Sequence, residues 1–132
     1  MKKEFINPPG LSSPVGYTHV VTTPGGKLIF ISGQVAVDEQ GRFVGVDDLA
    51  AQTRQVYENL KTALAATGAT FADVVKLNTY IVNYKPEQRA VIREVRQQYL
   101  PQAQLPASTL VGVTALAIEG LLIEVEAIAM VA

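Results

Sequence analysis

The chain contains no cysteine, and this absence excludes several kinds of chemistry at once. Without thiols there is no disulfide, no thiolate nucleophile and no thiolate metal site, which fits a reducing compartment. Histidine is also scarce: His19 is the only one, so no metal site can be built from several histidines. A lone histidine in a strand is more often structural than catalytic, and no Gly-x-Ser-x-Gly nucleophile elbow occurs. The sequence therefore indicates neither a metal nor a cofactor.

Long apolar runs and a surplus of one charge are missing as well. No run approaches the roughly 20 apolar residues that cross a bilayer, and residues 7–10 interrupt the stretch after the two N-terminal lysines, where a signal peptide would be apolar. We therefore expect a cytoplasmic protein with no membrane partner. The formal net charge of −1 and the pI near 5.8 give no attraction to phosphate backbones, so nucleic acid is not an expected partner.

What the chain does have is an apolar balance for its size. Its 132 residues are enough for one domain spanning residues 1–132, with one hydrophobic core. Hydrophobic residues make up 48% of the chain and charged residues only 17%. We expect a partner subunit to cover part of the apolar surface, which predicts an oligomer.

The first half of the chain reads as strands followed by a helix. Residues 7–16, with three prolines and two glycines, predict an irregular arm. Two segments rich in β-branched residues, 19–23 and 27–37, flank a Pro-Gly-Gly turn and predict a hairpin. From Asp47 the apolar residues recur every three or four positions, which predicts an amphipathic helix that ends near Gly68.

The second half repeats the pattern in the order strand, helix, strands. Alternating apolar residues predict a strand over 73–84, and Pro86 opens a second helix that reaches about Tyr99. Two further strands are predicted over 107–114 and 121–130. The order of six strands and two helices predicts an α+β fold. Because each helix has only one apolar stripe to bury, we expect both helices to pack on one face of the sheet.

Two carboxylates share a face of the last strand. Side chains alternate along a strand, so Glu124 and Glu126 point the same way and lie about 6.6 Å apart, close enough to couple their titration. From spacing alone, a solvated or interface-paired acidic face explains them better than a catalytic role does.

Two segments resemble the signature of the RidA (YjgF) family, also known as endoribonuclease L-PSP. They are Leu105-Pro106-Ala107-Ser108-Thr109-Leu110-Val111-Gly112-Val113 and, after a short loop, Leu122-Ile123-Glu124-Val125-Glu126-Ala127-Ile128-Ala129. The resemblance covers nearly the whole chain and implies a chorismate-mutase-like six-stranded sheet with two helices on one face. It also implies a homotrimer with clefts between neighbouring subunits, and the hydrolysis of 2-imino and enamine acids.

The same resemblance implies roles for particular residues. Glu124 matches the family's pocket glutamate, which positions or activates the water that attacks the imine. Tyr17 falls where the family has a pocket tyrosine, and Ser32 and Gly33 match a segment that lines the same cleft. A backbone amide near Gly33 can hold a carboxylate or oxyanion oxygen without steric hindrance. For Tyr17, packing against the end of the sheet with its hydroxyl in water is an equally good interpretation.

Two positions depart from the family pattern. The family has an arginine after the Pro-Ala pair, which binds the substrate carboxylate, and this chain has Ser108. Losing this contact removes charge-assisted hydrogen bonds worth about 1.5–3 kcal/mol each, so we expect weak binding of 2-imino acids. Where the second helix of the family commonly has an asparagine, this chain has Arg93, a possible relocated anchor. The alternative is that Arg89, Arg93 and Arg96 form a solvated basic stripe.

Three functions follow from these observations. The first is binding of a small carbonyl- or carboxylate-bearing metabolite in an intersubunit cleft, without efficient 2-iminoacid deaminase activity. The second is an imine or enamine deaminase, a hydrolase, whose carboxylate anchor has moved to Arg93. The third, a ribonuclease or translation inhibitor, is disfavoured by the charge balance and by the lack of a basic and aromatic platform for RNA.

Overall fold

A computed structural model describes residues 2–132 and contains six strands, two α-helices and one short 3-10 helix. The strands are β1 (Glu4–Ile6), β2 (Val20–Thr22), β3 (Lys27–Gln34), β4 (Val74–Val82), β5 (Ala107–Val113) and β6 (Ile123–Val131). The helices are α1 (Leu49–Ala65) and α2 (Gln88–Arg96), and the 3-10 helix is Phe71–Asp73.

The main sheet has four strands in the order β3-β6-β4-β5, and the two helices pack on it. Strands β4 and β5 run parallel, while β6 is antiparallel to both of its neighbours. Strands β1 and β2 form a separate two-stranded sheet. The predicted α+β class, with six strands and two helices, is confirmed, and the structure divides the strands between two sheets.

The predicted hairpin across the Pro-Gly-Gly turn does not form. Strand β2 pairs with β1, where Phe5 faces Val21, and β3 pairs with β6, where Ile29 faces Ala129. The turn therefore connects two different sheets. At Gly26 the backbone passes so close to the C-terminal strand that a Cβ would overlap the carbonyl oxygen of Val131. This approach brings β3 alongside β6, a pairing that the local turn pattern does not reveal.

Helix α1 begins and ends where its sequence predicts. The Asp48 side chain accepts a hydrogen bond from the amide of Ala51 (3.0 Å), which satisfies one of the free N–H groups at the helix start. Beyond the helix, Gly68 adopts the left-handed conformation with φ of +77°. On the buried face, Gln52 donates to the carbonyl of Gly120 and accepts from the amide of Leu122, which joins the helix to the start of β6.

Helix α2 is shorter than predicted. It begins at Gln88, because residues 85–87 form a turn rather than the first helical turn, and it ends at Arg96, followed by turns over residues 97–99. Its apolar stripe is buried, with Ile92 and Val95 only 1% and 2% exposed. No helix within residues 2–132 is both long enough and apolar enough to cross a membrane.

Candidate functional site

The register of the sheet places Ser108 and Glu124 on opposite faces. Ser108 pairs with Leu77 in the parallel β4–β5 ladder, and Leu77 is fully buried among the core residues that pack beneath the helices. Glu124 pairs with Tyr80, three positions further along β4. Because side chains alternate along a strand, Leu77 and Tyr80 point to opposite sides of the sheet. The residues predicted for one pocket therefore form two groups within a single chain.

The first group surrounds a cavity of about 140 Å³ between α2, β5 and the N-terminal arm. Tyr17, Arg93 and Ser108, three of the predicted binding residues, all line it. Two further arginines, Arg89 and Arg96, line the same cavity. The three arginines therefore do not form a purely solvated stripe: Arg89 is exposed, but Arg93 and Arg96 are half-buried beside Ser108.

Hydrogen bonds to the arm hold Tyr17 at the edge of this cavity. Arg96 donates from Nη2 to the carbonyl oxygen of Gly16 at 3.3 Å. Thr18 is buried, and its amide donates to the carbonyl of Pro106, two residues before Ser108. The Tyr17 ring packs edge-on against His19, with ring centroids 5.2 Å apart. The irregular arm thus forms one wall of the cavity.

Behind the cavity, Arg96 faces the buried hydroxyl of Tyr57. Tyr57 is fully buried, which raises the pKa of its hydroxyl, and the nearby Arg96 guanidinium acts in the opposite direction. The Nε atom of Arg96 is itself buried and has no hydrogen-bond partner within residues 2–132. The guanidinium is therefore held by one backbone carbonyl and has hydrogen-bonding capacity left over.

The second group lies on the opposite face, where β3 and β6 run side by side. The Glu124 side chain extends directly over Gly33, and a Cβ at that position would overlap its carboxylate. Any other residue at position 33 would require the Glu124 side chain to move. The predicted catalytic glutamate and the predicted backbone binding position are thus neighbours, but they do not line the cavity that contains Ser108.

Glu126 shares the face of Glu124 but is already satisfied by its own chain. Tyr80 donates its hydroxyl to Oε1 of Glu126 at 2.5 Å, and Asn78 donates to the same oxygen at 3.2 Å. The hydrogen bond to Glu126 is the main cause of a raised pKa at Tyr80, followed by desolvation and by the charges of both glutamates. Ser32 is exposed and lines a cavity of about 290 Å³ beside Glu126 and Asn78, apart from the other predicted residues.

Sequence reasoning missed two features of these groups. The alternation along β4 places Asn78 and Tyr80 on the polar face, but only the cross-strand register shows that both reach Glu126. The inclusion of Arg89 and Arg96 in the Ser108 cavity depends on how α2 packs, which periodicity does not reveal. Among residues 2–132, no three histidine, aspartate or glutamate side chains come close enough together to hold a metal ion.

Comparisons with known proteins agree with this architecture. The family profile described as Endoribonuclease L-PSP matches residues 10–131. A RutC family protein from Pyrococcus horikoshii is 34% identical over 96% of this chain and 97% of its own. The crystal structure of a Rid family protein, YyfB from Yersinia pestis, is 42% identical and superposes with a TM-score of 0.89 over 99% of this chain and all of that chain. The structure of Escherichia coli TdcF with bound serine is 30% identical, with a TM-score of 0.70 over 94% of this chain and 93% of that chain.

Proposed function

The chain belongs to the RidA (YjgF, endoribonuclease L-PSP) family, and from this premise we propose that it binds a small carboxylate- or carbonyl-bearing metabolite without efficient 2-iminoacid deaminase activity. One observation above all supports the proposal: Arg93 and Ser108 line the same cavity. The serine stands where the family has its carboxylate-binding arginine. The cation that the strand lacks is supplied to the same space by helix α2.

The chemistry of this cavity suits a carboxylate. A guanidinium offers a planar fork of N–H donors that pairs with both carboxylate oxygens, and a serine hydroxyl adds one donor or acceptor. Arg93 is half-buried, so its charge is screened less than that of a fully exposed arginine. Serine, the molecule bound in the TdcF structure, carries a carboxylate of this kind.

We propose that the complete site forms between subunits of a cytoplasmic homotrimer. Within one chain, Glu124 and Gly33 lie on the opposite side of the sheet from Ser108, so they reach the cavity only from a neighbouring copy. The face that contains Glu124 also presents apolar side chains, including Phe30, which is 70% exposed. Covering this surface with a second copy removes apolar area from water and favours association.

The position of the cation explains why deamination is expected to be inefficient. Hydrolysis of an imine needs the substrate held so that its carbon meets a water molecule oriented by Glu124, within about 3–3.5 Å. An anchor on α2 holds the carboxylate from a different direction than an anchor on β5. A substrate bound in this way is displaced from the position that suits Glu124, and displacements of 1 Å already reduce rates strongly.

The binding proposal is tested with pyruvate as the probe, by calorimetric titration of the whole protein. We expect Arg93→Ala to weaken pyruvate binding by about 10- to 150-fold, the equivalent of 1.5–3 kcal/mol for charge-assisted hydrogen bonds. Arg54→Ala is the matched control, because Arg54 is an exposed arginine on α1 outside the cavity. Equal pyruvate affinity in the wild type and the Arg93 variant would refute the proposal.

A second candidate, a deaminase that uses Arg93 as its anchor, is favoured by the same observation that Arg93 lies beside Ser108. Its assay is ammonia release from freshly generated 2-iminopropionate. Under the binding proposal, the wild-type rate stays near that of the Glu124→Gln variant. A fast wild-type rate that falls in both Glu124→Gln and Arg93→Ala would establish the deaminase instead.

A further inference from the structure

The cavity beside Ser108 is unusual in its charge. Arginines contribute three of its lining side chains, and no aspartate or glutamate of residues 2–132 lines it. The remaining lining residues are small, apolar or uncharged: Val15, Gly16, Tyr17, Ile92, Ser108 and Leu110. Positive charge is therefore concentrated in a small space with no carboxylate from the same chain to balance it.

Within residues 2–132, none of the three guanidinium groups forms an ion pair. Over the described part of the chain, the one salt bridge joins Arg42 to Asp38 on an exposed loop. Arg96 donates one hydrogen bond to the carbonyl of Gly16 and keeps a buried, unpartnered Nε. An anion bound in the cavity would therefore meet positive charge from more than one arginine, with no carboxylate of residues 2–132 competing for it there.

Counting charge indicates which anion fits. Arg89, Arg93 and Arg96 contribute three positive charges. If Glu124 of a neighbouring subunit faces the cavity, as the proposed trimer requires, two positive charges remain. A monocarboxylate neutralises only one of them, whereas a dianion neutralises both. The volume of about 140 Å³ restricts the ligand to a compact molecule, since a cavity of roughly 150 Å³ accommodates one the size of benzene.

We infer that the ligand of this cavity is a compact dianion, either a short dicarboxylate or a phosphoryl group. This inference rests on the proposed function, because it specifies the ligand class of the same site. Arg93 and Arg89, four residues apart on α2, lie on one face of the helix and bind the two negative charges. Arg96 is a positioning residue that ties the helix to the arm at Gly16.

The test compares ligands that differ in charge but hardly in size. Malonate and propionate have three carbons each, with two carboxylates and one respectively, and inorganic phosphate provides the phosphoryl alternative. Affinities are measured by calorimetric titration of the full chain. The pH is chosen so that every carboxylate is ionised and phosphate is a dianion. We expect malonate or phosphate to bind at least tenfold tighter than propionate. Tighter binding of phosphate than of malonate assigns the phosphoryl source, and the reverse assigns the dicarboxylate.

The Arg89→Gln variant separates charge recognition from a general disturbance. It is expected to bring the malonate-to-propionate affinity ratio close to one, whereas a merely structural defect weakens both ligands and leaves the ratio unchanged. Arg54→Gln serves as the control and keeps the wild-type ratio. If propionate binds as well as malonate and phosphate while pyruvate binding still depends on Arg93, the dianion inference is wrong and the proposed function stands. If the wild type binds none of these anions, both fail.

Discussion

The two faces of the four-stranded sheet differ in how their charged side chains are paired. On the face away from the helices, the Glu126 carboxylate receives hydrogen bonds from Tyr80 and Asn78 of the neighbouring strand. On the helix side, Arg93 and Arg96 line a cavity with no carboxylate of their own chain. A charge that its own fold satisfies serves mainly the structure. A charge that the fold leaves unsatisfied is where a ligand is expected.

The largest expected effect comes from β4, the strand that contributes side chains to both faces. Leu77 and Asn78 are adjacent on β4 but point to opposite faces, and Leu77 is fully buried. Leu77→Ala is expected to lower the free energy of unfolding by about 2–5 kcal/mol, because it leaves a cavity in the core. Asn78→Ala, the matched control, removes one hydrogen bond to the Glu126 carboxylate and is expected to cost about 1.5 kcal/mol, the low end for a charged acceptor, because Tyr80 still donates to the same oxygen.

Urea denaturation of both variants measures the difference directly. Equal losses in the two variants would contradict the assignment of the faces, because they would mean that Asn78 is as important to the core as Leu77. Since Leu77 pairs with Ser108, Leu77→Ala is also expected to loosen the strand that carries Ser108.

The second prediction concerns a carboxylate added to the helix side of the sheet, where the chain has none beside the arginines. Ser108→Glu introduces a carboxylate among three unpaired guanidinium groups, so the chain supplies its own anion. The variant is expected to gain about 0.2–1 kcal/mol of stability, as measured for partly exposed ion pairs, and to lose pyruvate binding. Thermal unfolding and calorimetry check the two parts. Ser108→Gln controls for side-chain size, and a Glu variant that still binds pyruvate would place the anion elsewhere.

Much of the fold could be predicted from the sequence, because the individual helices and strands depend on local patterns. The periodicity of α1 and the alternation of β4 and β6 predicted a helix and two strands close to where the structure has them. The α+β class and the family followed from the element order and from the segment around Ser108. The limits of α2 were misjudged locally: Pro86 lies in a turn that precedes the helix, and the helix ends at Arg96 rather than near Tyr99.

What local patterns could not predict is the pairing between distant segments. The Pro-Gly-Gly turn is typical of a hairpin, yet β3 pairs with β6, nearly a hundred residues later in the chain. The predicted site residues are expected in a cleft between subunits, and that prediction stays open: within one chain, the register places Ser108 on the opposite side of the sheet from Glu124. A one-residue change in register reverses a side chain's face, and sequence patterns alone do not fix that register.

The smallest expected effect concerns the titration of Tyr80 on the acidic face. Its hydrogen bond to Glu126, desolvation and the two nearby glutamates raise the pKa of its hydroxyl above the ordinary value of about 10. The folded protein therefore keeps a proton that the unfolded chain loses as the pH rises above about 10, so the contribution of Tyr80 to stability declines from that pH upwards. Tyr80→Phe removes this contribution and flattens the alkaline part of the stability curve.

Ultraviolet absorbance of the phenolate and urea denaturation at several alkaline pH values measure both effects. Glu126→Gln removes the main cause of the shift, because it replaces the carboxylate that accepts the hydrogen bond from Tyr80 with a neutral amide. Tyr80 is then expected to ionise at a lower pH than in the wild type, closer to the ordinary value. The titration step of Tyr80 is identified as the one that disappears in Tyr80→Phe. If the wild type already shows this step at the ordinary pKa of tyrosine, the hydrogen bond to Glu126 does not stabilise the protonated hydroxyl. The acidic face would then have carboxylates as unsatisfied as the arginines on the other side, and the contrast between the two faces would be lost.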